Sequence, residues 1–395
     1  MPVNREVIYL KPKVLIISSV HFWNDARIYY KEAISLAKQY RVELHAVGTF
    51  QGISQGVEVK CLPGQRSRLA RVGNICRLLF RGLKSRPEVL HFHDPELIPV
   101  ALLIKLLTGC KVIYDVHEDF PAAILSKFWI PVLLRNPLAA IANLVEKNSS
   151  RFFNLLIFAE SYYKEKFRRV KTRTIDIYNY PVQLNPDANC PRLGEADIHL
   201  VYAGSLSKTR GALTMLKALA LTDFKDKSFH FWILGPVRPA QLVKEIQEFI
   251  ATHEKLQGCV TFLGFVPLET VYCYCSSAQL GLALLHPEPN YLRSLATKLY
   301  DYMSVGLPIL ASNFPDWAKL LAETQSGLTA DPLDSQAIAR NLEYLIHNQE
   351  ARSTLGKHGR KAFETQYNWA KEEEKLLEAY QQMLKKSARL DSANN

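Results

Sequence analysis

Two successive series of short apolar runs, each alternating with stretches of helical period, constrain this chain more than any other feature. The first series opens with Lys13–Ser19, KVLIISS, a continuous apolar run suited to a strand buried on both faces. Val42–Val47, Val57–Leu62, Glu88–His93, Lys111–Val116, Leu155–Ala159 and Thr174–Ile177 read as further strands. Helices are expected between them over Ile28–Tyr40, Ser67–Ser85, Leu97–Leu107, Pro121–Asn148 and Glu160–Arg169. Such alternation predicts an α/β domain built on a doubly wound parallel sheet. Asn179–Ile198, with three prolines, two aspartates and a glycine and no period, reads as an interdomain linker. The pattern then restarts, with strands at His199–Ala203, Phe229–Leu234, Val260–Leu263, Leu280–Leu285 and Leu307–Ala311. Its helices are expected at Gly211–Leu221, Ala240–His253 and Leu268–Ser276, and Asp334 is placed to cap another that runs to His347. Two amphipathic helices end the chain. A length of 395 residues is consistent with two such domains, whose ligands would bind at the carboxyl ends of the strands, facing across a cleft.

A formal net charge of +11 points to an anionic partner: nucleic acid, anionic lipid or a phosphorylated ligand. Nucleic acid is disfavoured, because the chain has no nucleic-acid-binding motif and no aromatic–basic interleaving on a strand. Neither domain carries GxGxxG after its first strand, which lowers the odds of a dinucleotide cofactor. The seven cysteines show no CxxC or Cys/His spacing, so a reducing cytoplasm and no structural metal are expected, with Cys273 and Cys275 as core thiols. The opening residues hold no run of signal-peptide length and no segment reaches the ~20 apolar residues of a membrane span. A cytoplasmic protein is expected, with contact to the inner face of a membrane left open.

The most informative stretch is His286–Ser312, HPEPNYLRSLATKLYDYMSVGLPILAS. A polar loop leads to a helix that Thr297 could cap, with Lys298 and Asp301 three apart on one face. Gly306 suits a left-handed helix end, and Pro308 stops further helix. Free N–H groups at the helix start, with Lys298 beside them, suit a phosphate, and Asp301 could accept from two vicinal hydroxyls. An ordinary capped helix with an exposed ion pair is the plainer alternative. The loop Gly204–Gly211, GSLSKTRG, places two glycines, hydroxyls and two cations between a strand and a helix, which suits a diphosphate. Arg210, next to the helix, is the better candidate there; Lys208 is suited to a surface turn.

Three N-terminal loops also carry polar residues. In Ser18–Arg27, Asp25 and Arg27 could line the cleft, pair with each other or cap the helix. In His91–Pro95, His91 and His93 share a strand face and Asp94 opens the loop, but no third metal ligand has matching spacing. In Asp115–Asp119, His117 could bond a substrate hydroxyl or play a structural part. The segment Arg66–Arg86 holds seven cations and no acid. Leu69, Val72, Cys76, Leu79, Phe80 and Leu83 form its expected packing stripe, and its basic flanks, with Phe128–Leu134, could meet anionic lipid.

Taken in order, VHFWNDARIYYKEAISLA, VLHFHDPELIP, VIYDVHEDFP, VYAGSLSKTRG, VTFLGFVP and TKLYDYMSVGLPILAS resemble the family-4-type (group 1) glycosyltransferases with the GT-B fold. The resemblance spans about Lys13 to Leu384. It implies two Rossmann-like domains, an acceptor-side domain over 1–183 completed by a C-terminal crossing helix over 370–395, and a donor domain over 196–369. It implies transfer of a sugar, with retention, from a UDP- or GDP-linked donor to a glycan or lipid-linked acceptor, with no cofactor and no metal. Polysaccharide or glycolipid biosynthesis is the implied setting. On this resemblance His117 faces the transferred sugar, and with Arg210 and Lys298 it forms the catalytic set. Arg210 contacts the diphosphate beside Gly204 and Ser205, and the amides of Ala296 and Thr297 join Lys298 at the phosphates. Asp301 binds the ribose, and Gly264, Phe265 and Val266 lie beside the base. Asp25, Arg27, His93 and Asp94 fall on the acceptor side. Arg293 stands where the family has the first of two glutamates eight apart, with Glu288 the nearest upstream acid, and Ser205 stands where the family has an arginine. A sugar-nucleotide epimerase or hydrolase on the same fold, or a non-catalytic nucleotide-sugar-binding protein, are the alternatives.

Overall fold

The structure, a computed structural model, describes residues 11–64, 68–127, 130–183, 190, 193–294 and 296–393. The chain divides into two compact units, residues 1–179 with 372–395, and residues 180–371. Arg66, Phe128 and Trp129 of the sequence reading lie outside the described residues.

The N-terminal unit is an eight-stranded sheet. Its strands are β1 (Lys13–Phe22), β2 (Arg41–Val47), β3 (Gln51–Ser54), β4 (Val57–Lys60), β5 (Val89–Phe92), β6 (Lys111–Val116), β7 (Leu155–Phe158) and β8 (Thr174–Asp176). They lie in the order β3-β4-β2-β1-β5-β6-β7-β8, parallel except for the antiparallel β3–β4 edge hairpin. That hairpin is absent from the sequence expectation. Its turn residues Gln55 and Gly56 both have positive φ, as a tight hairpin turn requires, but Gln-Gly is a weaker signal than Asn-Gly.

A π-helical turn (Ile28–Ala33) leads into α1 (Ile34–Ala37). The remaining helices before the linker are α2 (Arg68–Ser85), α3 (Ile98–Thr108), α4 (Phe120–Ser126), α5 (Val132–Ser150) and α6 (Tyr163–Phe167). The single helix expected over Pro121–Asn148 is two. Asp119 caps α4, accepting from Ala122 N at 3.3 Å, and Pro131, in extended conformation, starts α5. The expected packing stripe of α2 is corrected in part: Leu79 and Leu83 pack against the core as expected, but the rest of the stripe is rotated. Asn74, Leu78 and Gly82 are its buried positions, whereas Val72, Cys76 and Phe80 are exposed. Gly82 sets this rotation, since a Cβ there would lie 2.4 Å from Ile104 Cδ1, so the helix approaches α3 on that side.

The C-terminal unit has six parallel strands, β9 (Ile198–Ala203), β10 (Phe229–Leu234), β11 (Val260–Gly264), β12 (Leu280–Ala283), β13 (Ile309–Ser312) and β14 (Gly327–Ala330). Their order is β11-β10-β9-β12-β13-β14, so β9 lies between β10 and β12 where the winding reverses. Its helices are α7 (Ala212–Leu221), α8 (Ala240–Ala251), α9 (Leu268–Ser277), α10 (Pro289–Leu292), α11 (Thr297–Ser304), α12 (Pro315–Thr324), α13 (Ser335–His347) and α14 (Gln349–Thr365). Leu200, Tyr202, Phe231, Ile233, Leu282 and Leu310 build the core between the sheet and these helices. Asp334 caps α13 as expected, accepting from Gln336 N and Ala337 N, both at 2.9 Å. Cys273 is on α9 and forms a disulfide with Cys190 of the linker, their Cα atoms 5.2 Å apart. This corrects the expectation of a core thiol at Cys273; Cys275 is a free, buried thiol. The last helix, α15 (Trp369–Ala393), supplies residues from Glu372 onward to the N-terminal unit, where Tyr380 Oη meets His91 Nδ1 at 2.9 Å.

Candidate functional site

Three glycines crowd at the carboxyl ends of adjacent strands in the C-terminal unit. Gly204 follows β9, Gly235 follows β10 and Gly264 ends β11, all with positive φ. A Cβ on Gly235 would lie 2.2 Å from Gly204 O, and Gly235 bridges to Gly264. Backbone alone therefore lines this edge, leaving room for a ligand to approach. Gly235 was not singled out in the sequence, where a lone glycine after a strand carries no signal.

The loop from Gly204 leads to Arg210. Ser207 Oγ accepts from Arg210 N at 3.2 Å, closing a single turn before Gly211. At Gly211 φ is 77°, and a Cβ would lie 1.9 Å from Leu284 O, so this corner admits only glycine. Arg210 Nη1 donates to Ser205 O at 3.0 Å, and its Nε to Tyr291 Oη at 3.4 Å. The guanidinium carbon lies 5.9 Å from the Tyr291 ring centre.

Lys298, in the first turn of α11, is buried, so the exposed ion pair considered from sequence does not form. Its Nζ has no hydrogen-bond partner among the described residues and lies 3.6 Å from the centre of the Tyr202 ring. Burial and the neighbouring Arg210 charge push this ammonium well below the ordinary lysine range. A Cβ on Gly204 would lie 3.7 Å from Lys298 Nζ, so the loop after β9 and the start of α11 meet at this cation. Tyr202 is fixed by donating to Ser205 O at 3.0 Å. Tyr302, one turn beyond Lys298, accepts from Ala203 N and donates to Leu282 O, pinning α11 to β9 and β12.

The capping role expected of Thr297 is corrected. Ala296 occupies the cap position, no side chain caps the helix, and Thr297 is its exposed first residue. The first N–H groups of α11 are thus not taken up by a capping side chain. Asp301 accepts from Tyr272 Oη at 3.1 Å. Gly306 has φ 68° at the end of α11, as expected. Phe265 is 87 % exposed and Val266 partly buried; Arg293 and Glu288 are exposed.

The N-terminal unit holds a second polar group. Asp25 takes up the capping alternative, accepting from Arg27 N at 2.8 Å and Ile28 N at 3.0 Å. Arg27 is buried, donating to Asp115 Oδ2 from Nη2 at 2.7 Å and from Nε at 3.1 Å, and to Ile177 O at 3.0 Å. Its Nε is also 3.1 Å from Glu32 Oε1. Burial pushes both Glu32 and Asp115 up, against the pull of Arg27. His93 Nε2 is 2.8 Å from Glu32 Oε2, and burial pushes His93 down to about 4. Asp94 accepts from Ser18 Oγ at 2.8 Å and Ser19 N at 2.6 Å, tying the ends of β5 and β1 together.

Glu32, His91, His93 and Asp115 thus bring ligating atoms within 4.8 Å of one another, a convergence hidden in the sequence because Glu32 and Asp115 come from separate elements. The Arg27 guanidinium brings a positive charge among them. Nearby, His117 Nε2 lies 3.1 Å from His21 Nε2, and His21 Nδ1 is 3.4 Å from Asp25 Oδ2. Burial opposes the charged form of His21, but Asp25 and Asp94 outweigh it and raise its pKa. This Asp–His–His chain was not foreseen; the sequence places His21 and His117 on loops 96 residues apart.

These two wound sheets define the GT-B class of fold, and solved structures of that class align along almost the whole chain. Sucrose-phosphate synthase from Thermosynechococcus elongatus is 17% identical, covering 95% of this chain and 99% of its own, with a TM-score of 0.74. Anabaena HepE in complex with UDP-glucose is 16% identical, covering 94% and 100%, with a TM-score of 0.69. WaaG, a glycosyltransferase involved in lipopolysaccharide biosynthesis, is 14% identical, covering 92% and 98%, with a TM-score of 0.67.

Residues 197–348, within the C-terminal unit, match the family described as glycosyl transferases group 1. Spore coat protein SA of Bacillus subtilis is 27% identical over 190 residues, 46% of this chain and 48% of that protein. The amylovoran biosynthesis glycosyltransferase AmsK of Erwinia amylovora is 24% identical over 172 residues, 43% of this chain and 41% of that protein. The chain thus spans less than half the length of these two relatives.

Proposed function

We propose that the chain is a glycosyltransferase that moves a hexose, with retention, from a nucleotide-sugar donor to a glycan or lipid-linked acceptor in polysaccharide or glycolipid biosynthesis. The observation that carries this reading is Lys298, a buried cation facing Gly204 with no acceptor for its Nζ among the described residues. A buried charge of this kind is costly until an anion reaches it. Arg210, half-buried in the same loop cluster, adds a second cation, and the start of α11 adds N–H donors. A donor diphosphate between them would satisfy all three. The UDP-glucose complex of HepE, on the same fold, favours a UDP-linked donor.

In this reading, breaking the bond between sugar and diphosphate leaves charge on the departing phosphate, and Arg210 and Lys298 stabilise it. The departing phosphate oxygen takes the acceptor proton, since attack from the same face retains configuration without a carboxylate nucleophile. Asp301 holds the ribose, with Tyr272 orienting its carboxylate. His117 serves the transferred sugar, and no metal or cofactor is required. Arg27, His93 and Asp94 act from inside the N-terminal unit by fixing the loops that end β1, β5 and β6. The protein works in the cytoplasm, at or near the inner membrane surface.

The test is calorimetric titration of the full chain with UDP, GDP and UDP-glucose. Binding that Lys298→Met and Arg210→Ala each weaken by about tenfold or more supports the reading. Absence of nucleotide binding, or binding indifferent to both substitutions, overturns it.

A further inference from the structure

Helix α5 is amphipathic in reverse. A helix that covers a sheet ordinarily turns its apolar stripe inward. This one buries Ala139, Glu146 and Ser150, while Leu133, Leu138, Ile141 and Leu144 are exposed on the other side, Leu133 at 90 %. The orientation is anchored by Glu146, which accepts from Tyr114 Oη at 2.6 Å and pairs with Lys166. Beside it, α3 exposes Leu106 and Leu107, Leu106 at 79 %. Exposed apolar residues are ordinary when scattered singly, but a contiguous apolar face marks a binding surface.

The charges that α4, α5 and the segments directly following them leave at the surface have one sign. From Phe120 to Asn154 the sequence holds one acid, the buried Glu146, against Lys127, Arg135, Lys147 and Arg151. The only charged residue of α3 is Lys105. Pairing of two copies through this face would set the cations of one rim against those of the other. An anionic headgroup layer over an apolar interior meets both the charge and the leucines. No helix among the described residues is long and apolar enough to cross a membrane, so contact would be with one leaflet.

We propose that the α3–α5 face docks the protein on an anionic bilayer, the leucine side of α5 entering the acyl boundary and the surrounding cations meeting the headgroups. It relocates the contact from the basic flank of α2. There Arg71 is engaged by Glu96, and Arg81 donates to Lys60 O at 3.1 Å. The docking stands on this surface alone. Its consequence, that the sugar acceptor is borne on a lipid, rests on the transferase reading.

Sedimentation of the full chain with phosphatidylcholine vesicles, with and without phosphatidylglycerol, tests it. Binding is expected only with phosphatidylglycerol and should weaken at high salt. The Leu133→Glu/Leu144→Glu variant should bind these vesicles about tenfold more weakly or worse while keeping its melting temperature, because both positions are exposed. Vesicle binding unchanged in that variant overturns the proposal. So does a dimer in sedimentation velocity that the same variant dissociates, which would make a second copy the occupant. UDP titration of the same samples separates the two readings. Vesicle binding without UDP binding leaves the docking face standing and removes the transferase, and UDP binding without vesicle binding does the reverse.

Discussion

Lys298 Nζ lies 3.6 Å from the centre of the Tyr202 ring, buried and with no hydrogen-bond acceptor among the described residues. A cation–π contact offsets part of its desolvation, and an anion would offset the rest. Its lowered pKa has a definite sign in stability. Between the lowered folded value and the ordinary lysine value of about 10.4, the unfolded chain binds more protons than the folded one. Stability should therefore rise with pH through that window. Urea midpoints should show this rise in the wild type and a flatter profile in Lys298→Met. At neutral pH the variant should be at least as stable as the wild type while binding UDP more weakly.

His21 gives the opposite slope. With its pKa raised by Asp25 and Asp94 against burial, its contribution is fully present below the unfolded value of about 6.5 and is lost as pH rises through the folded value. Ring-nitrogen NMR titration should place His21 above 6.5, and Asp25→Asn should bring it down. A His21 value at or below 6.5 would break the Asp25–His21–His117 chain.

Gly211→Ala should disturb fold and site together. The added Cβ would meet Leu284 O at 1.9 Å in a left-handed backbone, which costs about 1–3 kcal/mol in conformation alone. A melting temperature lower by at least several degrees is expected, with weakened UDP binding, because Arg210 is adjacent.

Removing the guanidinium at Arg27 leaves Glu32 and Asp115 buried without their counter-charge. Arg27→Met should cost about 3–5 kcal/mol in urea unfolding, the usual effect of breaking a buried pair. A loss below about 1 kcal/mol would show that the two carboxyl groups do not depend on it.

The strand–helix alternation was legible because each parallel strand is buried on both faces and appears as an unbroken apolar run. Gly306 and Asp334 were legible too, since their roles depend on nearby backbone alone. What escaped was set by contacts far apart in sequence. The rotation of α2 follows from Gly82 against Ile104, and the Cys190–Cys273 disulfide joins residues 83 apart. At the candidate site, loop chemistry singled out Arg210 and Lys298. The burial of Lys298 was not, because Tyr202, which covers it, reads in sequence as an ordinary strand residue. The inverted face of α5 was missed for a related reason. Its leucines follow helical period, and period alone does not say which side meets the sheet.

The most direct measurement is a crystal structure of the full chain with UDP. The diphosphate should lie at the loop after β9, with phosphate oxygens within hydrogen-bond distance of Arg210 and Lys298 Nζ and the ribose against Asp301. A UDP bound elsewhere, with Lys298 still over Tyr202 and without an anion, would contradict the account.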